Sequence, residues 1–344
     1  MAFLYGRTWT RDELLRHVGH MDQLAGIKLM EGADGVERGG RILEVWTGSG
    51  LIFQVLAERA LDISACSYQG QSLVWRSAAG DATPIYYSAD GLDWLRTFPG
   101  GLLATCGLDY FGPPMEDNGE TFGIHGRIGA LPATQVAYRT WWDGDEYELS
   151  ISAEVRQYRL FGEYLVLRRE IRTRLGSRVI AIHDSVTNAG YTPQPHMILY
   201  HFNFGFPLLS ADSQVELATS ETYPRDSRAA PGIHDWRTFH GPTAGWQEQV
   251  FRHTPIPNEQ GWSKAVLRNP PLGLAVALRF DARTLPFLFQ WKQTGEGAYV
   301  LGLEPGNCSG IEGRAVARER GDLPVLEAGE TRHYHLELEV NPAL

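Results

Sequence analysis

The chain has 344 residues, of which 43% are hydrophobic and 11% aromatic, with 10 Trp and a formal net charge of -10. That composition supports a large core, and the length suits one big all-β domain as well as two smaller ones. The acidic balance and the lack of any Lys/Arg-rich run speak against a nucleic-acid partner. Three cysteines, Cys66, Cys106 and Cys308, are few and odd in number, which argues against a disulfide framework and fits a reducing compartment. Met1 to Arg7 carries no long apolar signal-peptide segment, and no apolar run is long enough to span a bilayer, so a cytoplasmic location is expected.

In chain order, Thr10 and Glu13 match a capping box and predict a short helix running to about His20. Residues 1–38 read as a helical cover segment, and 39–344 as a single β-domain. From Gly39 strand signals dominate. Arg41–Thr47, the Gly48-Ser49-Gly50 turn and Leu51–Leu56 form a strand–turn–strand unit, continued by Leu61–Cys66 and Ser72–Trp75. Arg59 and Asp62 flank a strand start and read as a structural or surface ion pair.

Residues 90–131 are dense in Gly and Pro and end in Gly123-Ile124-His125-Gly126-Arg127. A loop that long inside a β-protein is functional or disordered, and its aromatic content argues against disorder. A histidine close to two glycines can bring its ring and the local backbone up to a ligand; a loop histidine bonded to a carbonyl is the plainer alternative.

Tyr147–Val155, Tyr164–Ile171 and Val179–Val186 alternate apolar and polar residues, the pattern of a sandwich or large antiparallel sheet. No repeat of fixed signature favours a propeller. Leu199-Tyr200-His201-Phe202-Asn203-Phe204-Gly205-Phe206 follows a Pro-stiffened loop. Strand alternation puts Tyr200, Phe202, Phe204 and Phe206 on one face and Leu199, His201 and Asn203 on the other. One face suits a core; the other offers polar groups to something small. Residues 210–262 are polar and show no clear period. Strands resume at Lys264–Arg268, Leu272–Phe280, Phe287–Lys292 and Ala298–Asn307, where Glu304 closes an apolar run before Pro305-Gly306. In the last strand, Tyr334 to Val340, His333 and His335 share a face. With no third ligand suggested, they read as a solvated edge rather than a metal pair.

Four marks in order carry a family resemblance: His125-Gly126-Arg127, then Val186-Thr187-Asn188 with the His201 strand, Leu303-Glu304-Pro305, and Leu326-Glu327-Ala328-Gly329-Glu330. Together they resemble the aldose 1-epimerases, or galactose mutarotases, from about Arg41 onward. Gly123-Ile124-His125-Gly126-Arg127 and Gln290-Trp291-Lys292 resemble in particular a branch of that family long labelled as of unknown function. The resemblance implies a large twisted antiparallel β-sandwich (all-β) and a cofactor-independent, metal-free isomerase of a small-molecule carbohydrate, neutral or anionic. No membrane or nucleic-acid partner is implied, and a homodimer is allowed. It places the general acid at His201, the general base at Glu304 and a second active-site histidine at His125. Arg127, Lys292, Asn203 and Gln290 are the candidate substrate-binding residues, and acid and base should flank a space the size of one sugar ring. Two alternatives stay open: a non-catalytic sugar-binding protein on the same scaffold, and an isomerase acting on the ring-opened sugar. Phe98-Pro99-Gly100-Gly101 departs from the family pattern by lacking an Arg.

Overall fold

The computed structural model describes residues 1–342. Two antiparallel sheets pack face to face. The smaller has eight strands in the order Thr134–Asp143, Glu146–Tyr158, Tyr164–Arg174, Val179–Asn188, Thr331–Pro342, Leu274–Asp281, Trp262–Asn269, Gln214–Leu217. The larger has eleven. Its path runs Thr219–Pro224, Gln249–Pro255, Phe287–Thr294, Tyr299–Gly306, Leu199–Gly205, Leu103–Cys106, Asp62–Tyr68, Leu51–Leu56, Arg41–Trp46, Gly26–Glu31, with Gln71–Ser72 branching off. This is the all-β sandwich expected. The capping box at Thr10 is present, but the helix stops at Leu15 rather than near His20. The chain then turns so that His17 packs edge-on against Trp9. Gly26–Glu31 pairs with Arg41–Trp46, so the large sheet begins ahead of residue 39. No helix among the described residues is long and apolar enough to cross a membrane.

The core between the sheets takes Tyr200, Phe202 and Phe204 from the large sheet and residues such as Leu167, Ile182 and Leu336 from the small one. Leu199 belongs to a second apolar cluster on the opposite face of the large sheet, with Trp94, Phe98 and Phe289. The alternation holds through Gly205. Phe206 lies beyond the strand, next to Pro207, and is 73% exposed instead of joining the core.

A buried charge network stitches the sheets together beneath this strand. The Arg169 guanidinium contacts Asp184 at 2.7 Å and Asp62 at 3.2 Å. Tyr200 donates its hydroxyl to Asp184 at 2.8 Å, and Thr105 donates to Asp62 at 2.6 Å. Desolvation makes such charges tolerable only when paired this completely. Asp62 therefore pairs with Arg169, from the facing sheet, and not with Arg59, whose guanidinium donates to the Ala82 carbonyl. The strand Thr331–Pro342 is likewise interior to its sheet: His335 lies opposite His183, ring centroids 5.0 Å apart, and is no edge residue.

Two regions without readable period hold strands. Leu103–Cys106, bounded by Gly101 and Gly107, is the direct neighbour of the His201 strand. Residues 210–262 supply three strands whose pattern is masked by polar residues: Gln214–Leu217 and Thr219–Pro224 at sheet edges, and Gln249–Pro255 one strand in.

Candidate active site

His201 and Glu304 meet because of sheet register. Leu199–Gly205 and Tyr299–Gly306 are antiparallel with Phe202 opposite Leu303 and Leu199 opposite Gly306, which sets His201 opposite Glu304. His201 Nε2 lies 3.2 Å from Glu304 Oε1, with both side chains buried. The two groups are in direct contact, not on opposite sides of a ring-sized space. On its other side His201 faces Ala104, too small to crowd the ring.

His125 arrives from the long loop. Its backbone is left-handed, φ 62°, a conformation uncommon outside glycine. It is held there by its N–H donating to the Gly112 carbonyl and its own carbonyl accepting from Gly107. At neighbouring Gly126 (φ 73°) a Cβ would collide with the Tyr110 and Gly107 carbonyls. The His125 ring stands 5.8 Å from that of His201 and 5.0 Å from Trp94. Phe98 and Trp291 complete an aromatic wall, 5.6 and 5.5 Å from His201. Trp291 donates its indole N–H to Glu248 at 2.8 Å, and the other Glu248 oxygen accepts from Arg225 at 2.8 Å.

Electrostatically this is a site where charge is expensive. Burial pushes the Glu304 carboxyl well above the usual range, helped by Glu248 and opposed by Arg225. Burial, then His125, lowers His201 to about 3; burial, then Arg225, lowers His125 to about 4. Each of these groups favours its neutral form. Four buried polar atoms gather here without a hydrogen-bond partner: His125 Nδ1, His201 Nδ1, Asn203 Oδ1 and Glu304 Oε1, the last close to His201 but misaligned for a hydrogen bond. Native proteins satisfy nearly all buried polar atoms, so such a concentration makes this the candidate place for a polar ligand.

Of the residues singled out in the sequence, the fold brings together His201, Glu304, His125 and Asn203, whose amide nitrogen donates to the His201 and Gly101 carbonyls. It does not bring Gln290 and Lys292. They alternate with Trp291 along Phe287–Thr294 and so point to the opposite face. Gln290 there bonds His253 and the Trp236 carbonyl, and Lys292 Nζ donates to the Asp235 carbonyl at 2.9 Å. Arg127 starts the 3₁₀ turn after His125 and makes no side-chain hydrogen bond or ion pair among the described residues. The cation that acts on His125 and Glu304 is Arg225. Arg225, Glu248, Trp94 and Trp291 were not readable as site residues. Trp291 stands inside the Gln290-Trp291-Lys292 mark, where its polar neighbours carry the signal, and the two charges lie in the stretch without period.

Comparison with solved structures shows the fold class to be galactose mutarotase-like. A Klebsiella pneumoniae protein provisionally named an aldose 1-epimerase is 27% identical and superposes with a TM-score of 0.86, over 93% of this chain and 86% of its own. A galactose mutarotase-like protein from Clostridium acetobutylicum (13% identity, TM-score 0.62, 93% of this chain and 99% of its own) shares the fold. So does galactose 1-epimerase from Lactobacillus acidophilus (10% identity, TM-score 0.60, 93% and 100%). No curated protein matches the chain. Within that class, residues 37–340 match the family model described as "Domain of unknown function (DUF4432)", and the chain belongs to that family.

Proposed function

We propose that the protein is an aldose 1-epimerase, interconverting the anomers of a sugar by acid–base ring opening and closure. The observation that carries this reading is the convergence of four unpartnered buried polar atoms, from two histidines, an asparagine and a glutamate, against an aromatic wall. A cyclic aldose is a hemiacetal. Opening it removes the proton of the anomeric hydroxyl and adds one to the ring oxygen while the bond from C1 to that oxygen breaks and C1 becomes a carbonyl. After rotation about C1–C2 the ring closes on the other face with the proton transfers reversed. The two oxygens share one carbon, so adjacent acid and base can serve both from one side of the sugar.

Glu304 takes the hydroxyl proton and His201 protonates the ring oxygen. The pair shares a single proton. Burial favours the state with neutral Glu304 and neutral His201, and the reactive state has that proton on His201 beside the Glu304 carboxylate, a transfer that requires the two side chains, 3.2 Å apart, to rotate into hydrogen-bond alignment. A carboxyl raised from its usual range is a stronger base once ionised, which suits proton abstraction near neutral pH. His125 and Asn203 hold sugar hydroxyls, Trp291 and Phe98 pack on the C–H faces of the ring, and Glu248 and Arg225 hold its outer hydroxyls. The test is anomer exchange measured by NMR across a panel of aldoses: the best substrate should lose at least about 10²-fold in rate in Glu304→Gln with binding retained. A stable Glu304→Gln protein with unchanged exchange would overturn the reading.

A further inference from the structure

The cross-strand row that carries Glu304 continues outward through Phe289 to Arg252. Past Phe289, which is fully buried, a cavity of about 510 Å³ opens beside Arg252. Its guanidinium lies over the rings of Tyr223 and Phe287, centroids 5.1 and 5.9 Å away, and Nη1 donates to the Ser309 carbonyl at 3.3 Å. No carboxylate pairs with Arg252 among the described residues, and its Nε is buried without an acceptor. The other arginines of the cavity are committed: Arg225 to Glu248 and Asp226, Arg320 to Glu312. Of the remaining acids there, Asp322 accepts from the Ser309 hydroxyl and Glu221 stands at the exposed rim.

One edge of the Arg252 guanidinium, Nε with Nη2, is thus left without an acceptor. That edge is a planar two-donor fork, the geometry that grips the two oxygens of a phosphate, sulfate or carboxylate group. The rings on its face fix its orientation in advance, so little rotamer freedom remains to be lost on binding. We infer that this cavity is a binding site for a small oxyanion, held by Arg252 and approached by Arg225, and separate from the His201–Glu304 site. The site does not depend on the mutarotation reading. It does share a wall with the catalytic pair, because Arg225 also holds Glu248, whose second oxygen orients Trp291. An oxyanion that draws on Arg225 loosens that support.

The experiment titrates inorganic phosphate into the full chain by calorimetry, with melting temperature followed in parallel at ionic strength fixed with chloride. Saturable one-to-one binding and a rising melting temperature are expected, with affinity falling at least about tenfold in Arg252→Gln and Arg252→Met. Arg252→Lys keeps the charge and loses the fork, and should also bind more weakly; it serves if the neutral variants fail to fold. Glycerol phosphate, which is no aldose, separates the sources: equal affinity indicates the free ion as ligand, tighter binding a phosphorylated organic molecule. No saturable binding by the wild-type chain, or binding unchanged in the folded Arg252 variants, overturns the proposal.

Discussion

Gly302 leaves the space that the Glu304 carboxylate occupies. The two residues share a face of one strand, and a Cβ at Gly302 would overlap Glu304 Oε1 and crowd the Trp291 side chain. The carboxylate is therefore laid back along its own strand, toward His201 and beneath the aromatic wall. Gly302→Ala should displace the carboxylate while leaving the ladder intact, since Gly302 has no left-handed backbone to preserve. The expected outcome is a fold unchanged by circular dichroism and an anomer-exchange rate lower by about 10-fold or more. Full activity in a folded Gly302→Ala protein would mean that the orientation of Glu304 is unimportant.

The contact between His201 and Glu304 also predicts how their substitutions combine. Groups that pass one proton between them act as a unit, so removing either removes most of the effect. His201→Asn and Glu304→Gln should each lower kcat by at least about 10²-fold, and the double variant should be little worse than either alone. Rate losses that multiply would separate the two residues into independent roles.

Lys292 and Trp291 are adjacent in sequence and opposite in consequence. Lys292 is buried on the face away from His201 and anchors the Asp235 carbonyl, with burial lowering its pKa. Lys292→Met should lower the melting temperature and leave the ratio of KM for anionic and neutral aldoses unchanged. Trp291→Ala should raise KM for every sugar bound, because it removes the ring face beside His201. A selective loss of anionic sugars in Lys292→Met is the result that would return the lysine to the substrate.

Stability should fall as the pH drops below about 6.5. Burial lowers His125, His196 and His253 to about 4 and His201 to about 3. Each has a folded value below its unfolded one, so between the two the unfolded chain binds more protons, and acid favours unfolding. Each unit of depression corresponds to about 1.4 kcal/mol. Glu304 works the other way. Its raised value contributes stability that is present below the unfolded carboxyl value and lost as pH rises through the folded one. Urea unfolding at pH 6.5, 5.5 and 4.5 measures the balance. In His196→Asn, which removes an imidazole bonded to the Leu108 carbonyl and Tyr334, the slope between these pH values should be shallower than in the wild type.

Much was decided by local chemistry that any reader of the chain can follow. Period-two alternation marks the long strands of the small sheet, the Thr10–Glu13 capping box starts a helix, and the two faces of Leu199–Gly205 separate a core side from a polar side. Those features depend on neighbours a few residues apart. The register that sets His201 against Glu304 joins residues far apart in sequence, and only the closed sheet specifies it. The same holds for Arg169, which reaches across the core to Asp62 and so leaves Arg59 to a carbonyl. Lys292 and Gln290 looked like ligand groups because they carry charge and polarity. A strand's alternation fixes which residues share a face but not which face meets the site, and the packing of the sandwich gave that face to Trp291. Arg225, Glu248 and Arg252 come from a stretch whose polar connections hide its short strands, two of which are solvated sheet edges. Arg225 and Glu248 reach Trp291 and the histidines, and Arg252 the neighbouring cavity, only through the assembly of the large sheet, a long-range property that short-range pattern cannot encode.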